Sequence, residues 1–274
     1  MALGPASRAS AEVNLVFGVY ASDKPSAMVE QIRPTLDVVE HTLSAGLHDT
    51  VKIELKVLRD YETGLAVLTK GDVDFARLGA VSYVEAKAQA PGIELLASEL
   101  NGDAPYFHGV ICVQRDGPIH EVKDLRGKTF AFGAEQSTMG RYVAQLFLAQ
   151  SGITADDLKS FQYLGRHDRV ATAVAAGQFD AGALEETIFD KLVGEGLALR
   201  PLASYRDLTK AWVARVGLDA QVKAKLRDAL IAMRDPAALS ALRFDGFTGT
   251  TDADYDPTRA AVKENSRFFQ KRRS

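Results

Sequence analysis

The chain has 274 residues, 46% of them hydrophobic and 25% charged, with a net charge of −3. A chain of this length can bury a large core and is long enough for two lobes. Its charge balance, with Lys and Arg spread along the sequence, excludes a nucleic-acid-binding face built on a basic stripe, and no stretch reaches the ~18–20 apolar residues of a membrane span.

Residues 1–11 lack the apolar core of a signal peptide and read as a leader joined to a mature start. Residues 14–20 form a strand. After Ser22-Asp23-Lys24-Pro25, with proline suited to a first helical turn, Met28, Ile32, Leu36, Val39 and Leu43 recur at helical spacing. Residues 51–58 alternate as a half-buried strand, 61–68 form a short helix that stops at Gly71, and 73–78 form a strand. Gly79-Ala80-Val81-Ser82-Tyr83 opens a helix, and 93–97 returns as a strand. Asn101-Gly102-Asp103-Ala104-Pro105 is turn chemistry, and 106–115 is a long extended run.

The alternation then restarts. Strands are predicted at 129–132, 161–164, 181–184 and 199–203, and helices at 138–152, 169–176 and 186–193. An extended stretch at 212–216, a helix at 219–233 and a closing helix at 257–269 complete the chain. Such alternation predicts an α/β protein with parallel sheets covered by helices. The two halves form separate units, 12–107 with 205–274 in one lobe and 108–204 in the other, joined by extended crossings at 109–113 and 202–206.

The first candidate site lies at Phe132-Gly133-Ala134-Glu135-Gln136-Ser137-Thr138-Met139-Gly140, a strand, a polar turn and a helix start. A helix start has unpaired N–H groups and a positive dipole end, which together seat a small oxyanion. Ser137 and Thr138 add hydroxyls, although Ser-Thr before a helix is most often only a cap.

These residues also carry a resemblance. Phe17-Gly18-Val19-Tyr20, Asp60-Tyr61-Glu62, Gly71-Asp72-Val73-Asp74-Phe75-Ala76 and Leu78-Gly79-Ala80-Val81-Ser82-Tyr83-Val84 resemble the first lobe of the phosphate/phosphite/phosphonate periplasmic binding proteins. Asp124-Leu125-Arg126-Gly127-Lys128, Ser137-Thr138, Gly165-Arg166-His167-Asp168 and Gly177-Gln178-Phe179-Asp180 resemble the second, and Tyr255-Asp256-Pro257-Thr258-Arg259 the C-terminal helix entry. The resemblance implies two Rossmann-like lobes closing by a hinge on a ligand, the periplasmic binding protein type II fold. It also implies a periplasmic, monomeric, non-enzymatic protein without a cofactor, which meets a permease or a sensor kinase.

The resemblance assigns the ligand to Ser137, Thr138 and the Met139 and Gly140 amides on one side; Tyr20 at a strand end, or Ser82 or Tyr83 at a helix start, faces it from the other. His167 matches a ligand-contacting histidine, and Glu185 or Glu186 falls where an acidic or amide residue is common. Met139 replaces a small polar residue and softens the seat. Each has a plainer reading as a strand end, a helix cap or a solvated pair.

Cys112 is the only cysteine, so no internal disulfide forms. Alternation puts Tyr106, His108, Val110 and Cys112 on one face of the long extended run, and the polar heads suggest that this face lines the cleft. His108 and Cys112 stand about 13 Å apart along the strand, so one small ligand does not touch both. Packing in the core is the ordinary fate of a lone cysteine. A soft thiolate beside a softened seat and acidic neighbours instead resembles the arsenic-oxyanion-sensing branch of the family, with Cys112 holding the arsenic of arsenite and a signalling role. The alternative is a phosphite, phosphonate or phosphate receptor of an ABC uptake transporter. A thiol-dependent enzyme is a remote third reading: no GxSxG, HExxH, P-loop or GxGxxG motif occurs.

Overall fold

The computed structural model describes residues 12–270. The leader expected at 1–11 and the basic Lys271-Arg272-Arg273 run lie outside the described residues.

The first lobe begins with β1 (Glu12–Tyr20), α1 (Pro25–Leu47), β2 (Thr50–Leu58), α2 (Tyr61–Lys70), β3 (Phe75–Leu78), α3 (Ala80–Gln89) and β4 (Glu94–Leu100). Local chemistry sets these boundaries. Pro25 starts α1, whose inner face buries Met28, Ile32, Leu36, Val39 and Leu43. Asp60 caps α2 by accepting the Thr63 N–H at 2.8 Å, and Gly71 ends it in the left-handed conformation at φ 83°.

The second lobe holds β5 (Tyr106–Gln114), β6 (Thr129–Phe132), α4 (Val143–Gln150), β7 (Ser160–Tyr163), α5 (His167–Ala175), β8 (Ala181–Glu185), α6 (Glu186–Gly194) and β9 (Leu199–Leu208). The helix expected at 138–152 is split: a wide π-type turn, Thr138–Tyr142, leads into α4. The chain then returns to the first lobe as β10 (Ala211–Ala214), α7 (Ala220–Ile231), α8 (Pro236–Leu242), β11 (Gly246–Thr248) and α9 (Asp256–Glu264).

Two separate sheets result. One has the order β11-β4-β10-β3-β1-β2, the other β7-β6-β8-β5-β9. Both are mixed, a departure from the parallel sheets expected. β1 runs parallel to β2 and β3, but β10 is antiparallel to β3 and β4, and β5 is antiparallel to β8 and β9. The reason is that each strand entering from the other lobe has no crossover helix to turn it.

The crossings also lie elsewhere than expected. Residues 109–113 and 202–206 pair with each other inside the second sheet. The chain passes between lobes at 101–105, between β4 and β5, and at Thr209-Lys210, between β9 and β10. The last turn, Asn265–Phe269, packs on the second lobe, where Phe268 meets the Phe132 ring edge-on at 5.6 Å.

Candidate functional site

β1, β3 and β6 all end at the cleft, where open α/β sheets meet their ligands. Tyr20 closes β1, Gly79 precedes α3, and Ser137 and Thr138 lie beyond β6. Three hydroxyls are fixed there by backbone donors. The Gly79 N–H donates to Tyr20 Oη at 2.6 Å, the Val81 N–H to Thr138 Oγ1 at 2.9 Å, and the Gly140 N–H to Ser137 Oγ at 2.9 Å. A hydroxyl that accepts a bond keeps its own proton to give away. Three oriented O–H donors therefore surround one part of the cleft.

Two glycines let these groups approach closely. A Cβ on Gly79 would stand 3.0 Å from Thr138 Oγ1 and 3.1 Å from Tyr20 Oη, so both oxygens converge on the gap left by the missing side chain. A Cβ on Gly140 would stand 2.9 Å from both Gly133 Cα and Ser137 Oγ and 3.0 Å from His167 Cε1, so the end of β6 packs directly on this turn. Glycine here serves close approach.

His167, the first residue of α5, is buried, and its Nδ1 has no hydrogen-bond partner among the described residues. Burial drives its pKa down to about 4, against the opposite pull of Glu185, so it is neutral near pH 7. Its backbone N–H crosses the cleft to the Ser22 carbonyl at 2.9 Å. Lys191 of the second lobe meets Asp23 of the first at 3.0 Å. The lobes are thus closed on each other.

The two neighbouring glutamates separate. Glu185 is buried and points inward, where Lys210 Nζ meets Oε2 at 2.5 Å and Thr187 Oγ1 donates to Oε1 at 2.9 Å. Although burial pushes the other way, Lys210 and the nearby His167 and Arg77 hold the Glu185 carboxyl down to about 2. Glu186 lies near the surface beside His108, with Nδ1 and Oε2 3.4 Å apart.

Several sequence expectations need correction. Cys112 does not face the cleft: it packs with Val110, Ala131, Val170, Val174 and Leu184 beneath α5 and α6, fully buried. Burial pushes its thiol up to about 12. β5 is covered on both faces, with Phe107, Ile111 and Val113 in a second cluster, so neither face of its buried stretch is solvated. Tyr106 and His108, the polar heads expected to mark the cleft, are exposed or partly exposed at the strand end. The Met139 side chain joins the main core, so it does not soften the seat; its carbonyl accepts from Tyr205 Oη at 2.6 Å. Tyr83 is engaged elsewhere, its O–H donating to Asp252 Oδ1 at 2.6 Å. Ser82 Oγ donates across the cleft to the Gln136 carbonyl at 3.5 Å.

Sequence reasoning missed Tyr61, Arg77 and Lys210. The Tyr61 ring stacks on Tyr20 at 3.8 Å and is buried. Arg77 Nε and Nη2 bind the Glu99 carboxylate at 2.5 and 2.8 Å. A signal for Arg77 was present, a lone charge within the apolar strand Phe75-Ala76-Arg77-Leu78. Lys210 carries no comparable mark. Beside the seat opens a cavity of about 240 Å³, lined in part by Ser22, Asp23, Arg77, Glu185, Lys191 and Arg243.

Two closed α/β lobes with hydroxyl donors converging between them define a solute-binding clamp. Residues 17–255 match the family described as the phosphonate periplasmic substrate-binding protein of ABC transporters. The chain belongs to that family, whose members are periplasmic substrate-binding proteins and not enzymes. It is 30% identical over 196 residues to the phosphonates-binding periplasmic protein of Escherichia coli, covering 69% of this chain and 56% of that one. It is 26% identical over 196 residues to the probable ABC transporter phosphite-binding protein PhnD1 of Prochlorococcus marinus, 65% of each chain. These alignments thus span less than two-thirds of the curated relatives. The solved structure of PhnD1 from that organism in complex with methylphosphonate superposes with a TM-score of 0.80 at 20% identity, covering 93% of this chain and 98% of that one. XAC2383 from Xanthomonas citri, bound to chloride, gives 0.73 at 25% identity, over 92% and 98%.

Proposed function

We propose that this chain captures a small phosphorus oxyanion, phosphite or a phosphonate, and delivers it to an ABC importer. The observation that carries this reading is the convergence of Tyr20 Oη and Thr138 Oγ1 on the gap at Gly79, each with a proton left to donate. Ser137 and the orphaned His167 Nδ1 complete the polar surround. The paired Glu185 adds no net charge against an anion, because Lys210 neutralises it. Isothermal titration calorimetry against phosphite, methylphosphonate, phosphate, arsenate and arsenite tests the reading. Saturable binding of phosphite or methylphosphonate without turnover is expected; heat from arsenite alone overturns it.

Thr138→Ala removes one hydroxyl and strands the Val81 N–H. Affinity for the bound anion is expected to fall by ~1–3 kcal/mol, about 5- to 150-fold. Unchanged affinity in the same titration takes Thr138 out of the seat.

The arsenite reading, with Cys112 as the soft ligand and a sensor kinase as the listener, has a direct test of its own. Cys112→Ser places a hydroxyl among aliphatic side chains, so a stability loss of ~1–3 kcal/mol in urea unfolding is expected. Binding of phosphite or methylphosphonate is expected to stay as in the parent. Arsenite binding by the parent that vanishes in Cys112→Ser would restore the arsenic reading.

A further inference from the structure

Six charged side chains line the cavity beside the seat, Asp23, Glu30 and Glu185 against Arg77, Lys191 and Arg243. Most are already paired. Asp23 is held by Lys191, Arg77 by Glu99, and Glu185 by Lys210. Glu30 and Arg243 sit at the exposed rim, opposite in sign. The deep wall of the cavity is Glu185 beside Arg77. Arg77 is spent on Glu99, so the cation in direct contact with Glu185 is Lys210.

Lys210 is built for that task. It lies on the two-residue crossing between β9 and β10, and its backbone carbonyl is fixed by the Glu99 N–H at 3.1 Å. Its side chain is 8% exposed and its ammonium stands 4.8 Å from the centre of the Phe107 ring. An ammonium so enclosed has little freedom to leave, and a carboxylate so enclosed needs a cation.

We propose that Lys210 sets the charge of the ligand: by supplying the ammonium that Glu185 requires, it reserves the cleft for an oxyanion with an uncharged arm and turns away one that carries its own ammonium. This rests on the phosphite or phosphonate reading above. An aminoalkyl arm entering the cavity meets a wall already neutral, and gives up its hydration without gaining a partner. Remove the Lys210 charge and the same wall becomes a buried carboxylate that keeps the Thr187 hydroxyl but has lost its contacting cation; it then repels an oxyanion and attracts a cationic arm.

The test compares methylphosphonate with 2-aminoethylphosphonate by calorimetry on the parent, Lys210→Met, Glu185→Gln and the double variant. The parent is expected to prefer methylphosphonate. Lys210→Met keeps the stem over Phe107 and is expected to reverse the preference, with the ratio of the two affinities moving by about 10-fold or more. Glu185→Gln leaves Lys210 cationic and is expected to bind methylphosphonate several-fold more tightly, still refusing the amine. The double variant is expected to return to the preference of the parent, which a merely structural role for the pair does not produce. A parent that prefers 2-aminoethylphosphonate, an unmoved ratio in Lys210→Met, or weaker methylphosphonate binding in Glu185→Gln overturns the inference. Should Lys210→Met not fold, Glu185→Gln decides. A parent that binds neither phosphonate nor phosphite overturns the function proposed above and this inference with it, whereas binding by the parent with an unmoved ratio overturns this inference alone.

Discussion

Replacing Arg77 by Met should cost this protein about 3–5 kcal/mol of stability. Arg77 and Glu99 are 3% and 0% exposed at the side chain, and the pair is doubly hydrogen-bonded. Glu99 Oε1 also accepts from Trp212 Nε1 at 2.8 Å, at the centre of the first sheet. Without Arg77 that carboxylate keeps one neutral donor and no cation. The cost arises from leaving a buried charge alone, which exceeds the net worth of the pair when intact. At ~2–4 °C per kcal/mol, the midpoint should drop by roughly 6–20 °C. Scanning calorimetry of Arg77→Met, Glu99→Met and the double variant checks this. The double variant should recover part of the loss, because two apolar groups need no partner; the Trp212 Nε1–H, left without its acceptor, keeps the recovery incomplete. If the two single losses simply add in the double variant, the pair is not coupled and the account fails.

The same pair shows which features the sequence made legible. Arg77 interrupts an apolar strand and so signals a buried partner, whereas Glu99 lies beyond the strand expected at 93–97 and carries no such mark; the antiparallel insertion of β10 between β3 and β4 brings them together. The hydroxyl cluster proposed above as the anion seat has local signals: Tyr20 at a strand end, Gly79 before a helix, Ser137-Thr138 beyond β6. Two-residue alternation on β5 was equally clear, yet it misassigned Cys112. Alternation reports two faces and does not say which is wet, and β5 is a buried strand with β8 and β9 on either side. α8 and β11 escaped notice because seven and three residues are too short for periodicity to rise above chance. Lys210 was invisible for a different reason: it lies in a crossing between strands, and its partner Glu185 is 25 positions away at the end of β8.

His167 should make the protein acid-sensitive in a defined window. Burial lowers its pKa to about 4 from the ordinary 6.5. The folded state therefore takes up the imidazole proton at lower pH than the unfolded chain does. Between about 6.5 and 4 the unfolded state binds more protons, so stability falls as pH falls through that window; above 6.5 the contribution is fully present. A shift of this size corresponds to about 3 kcal/mol once pH has dropped past the folded value. Two other buried groups titrate nearby. Asp207, raised to about 6 chiefly by burial, acts in the opposite sense, its contribution being lost as pH rises towards 6. Glu185, held near 2, loses its contribution only as pH falls below about 4.5. Comparison with His167→Gln cancels Asp207, which the variant keeps unchanged; Glu185, which is coupled to His167, enters only below about 4.5. Urea unfolding at intervals from pH 7.5 to 4 should show the parent losing stability faster than His167→Gln, the gap opening below about 6.5 and reaching its full size near 4. Parallel curves for the two proteins would mean that the imidazole is solvated or finds a partner in solution, and that Nδ1 is not held in reserve for a ligand.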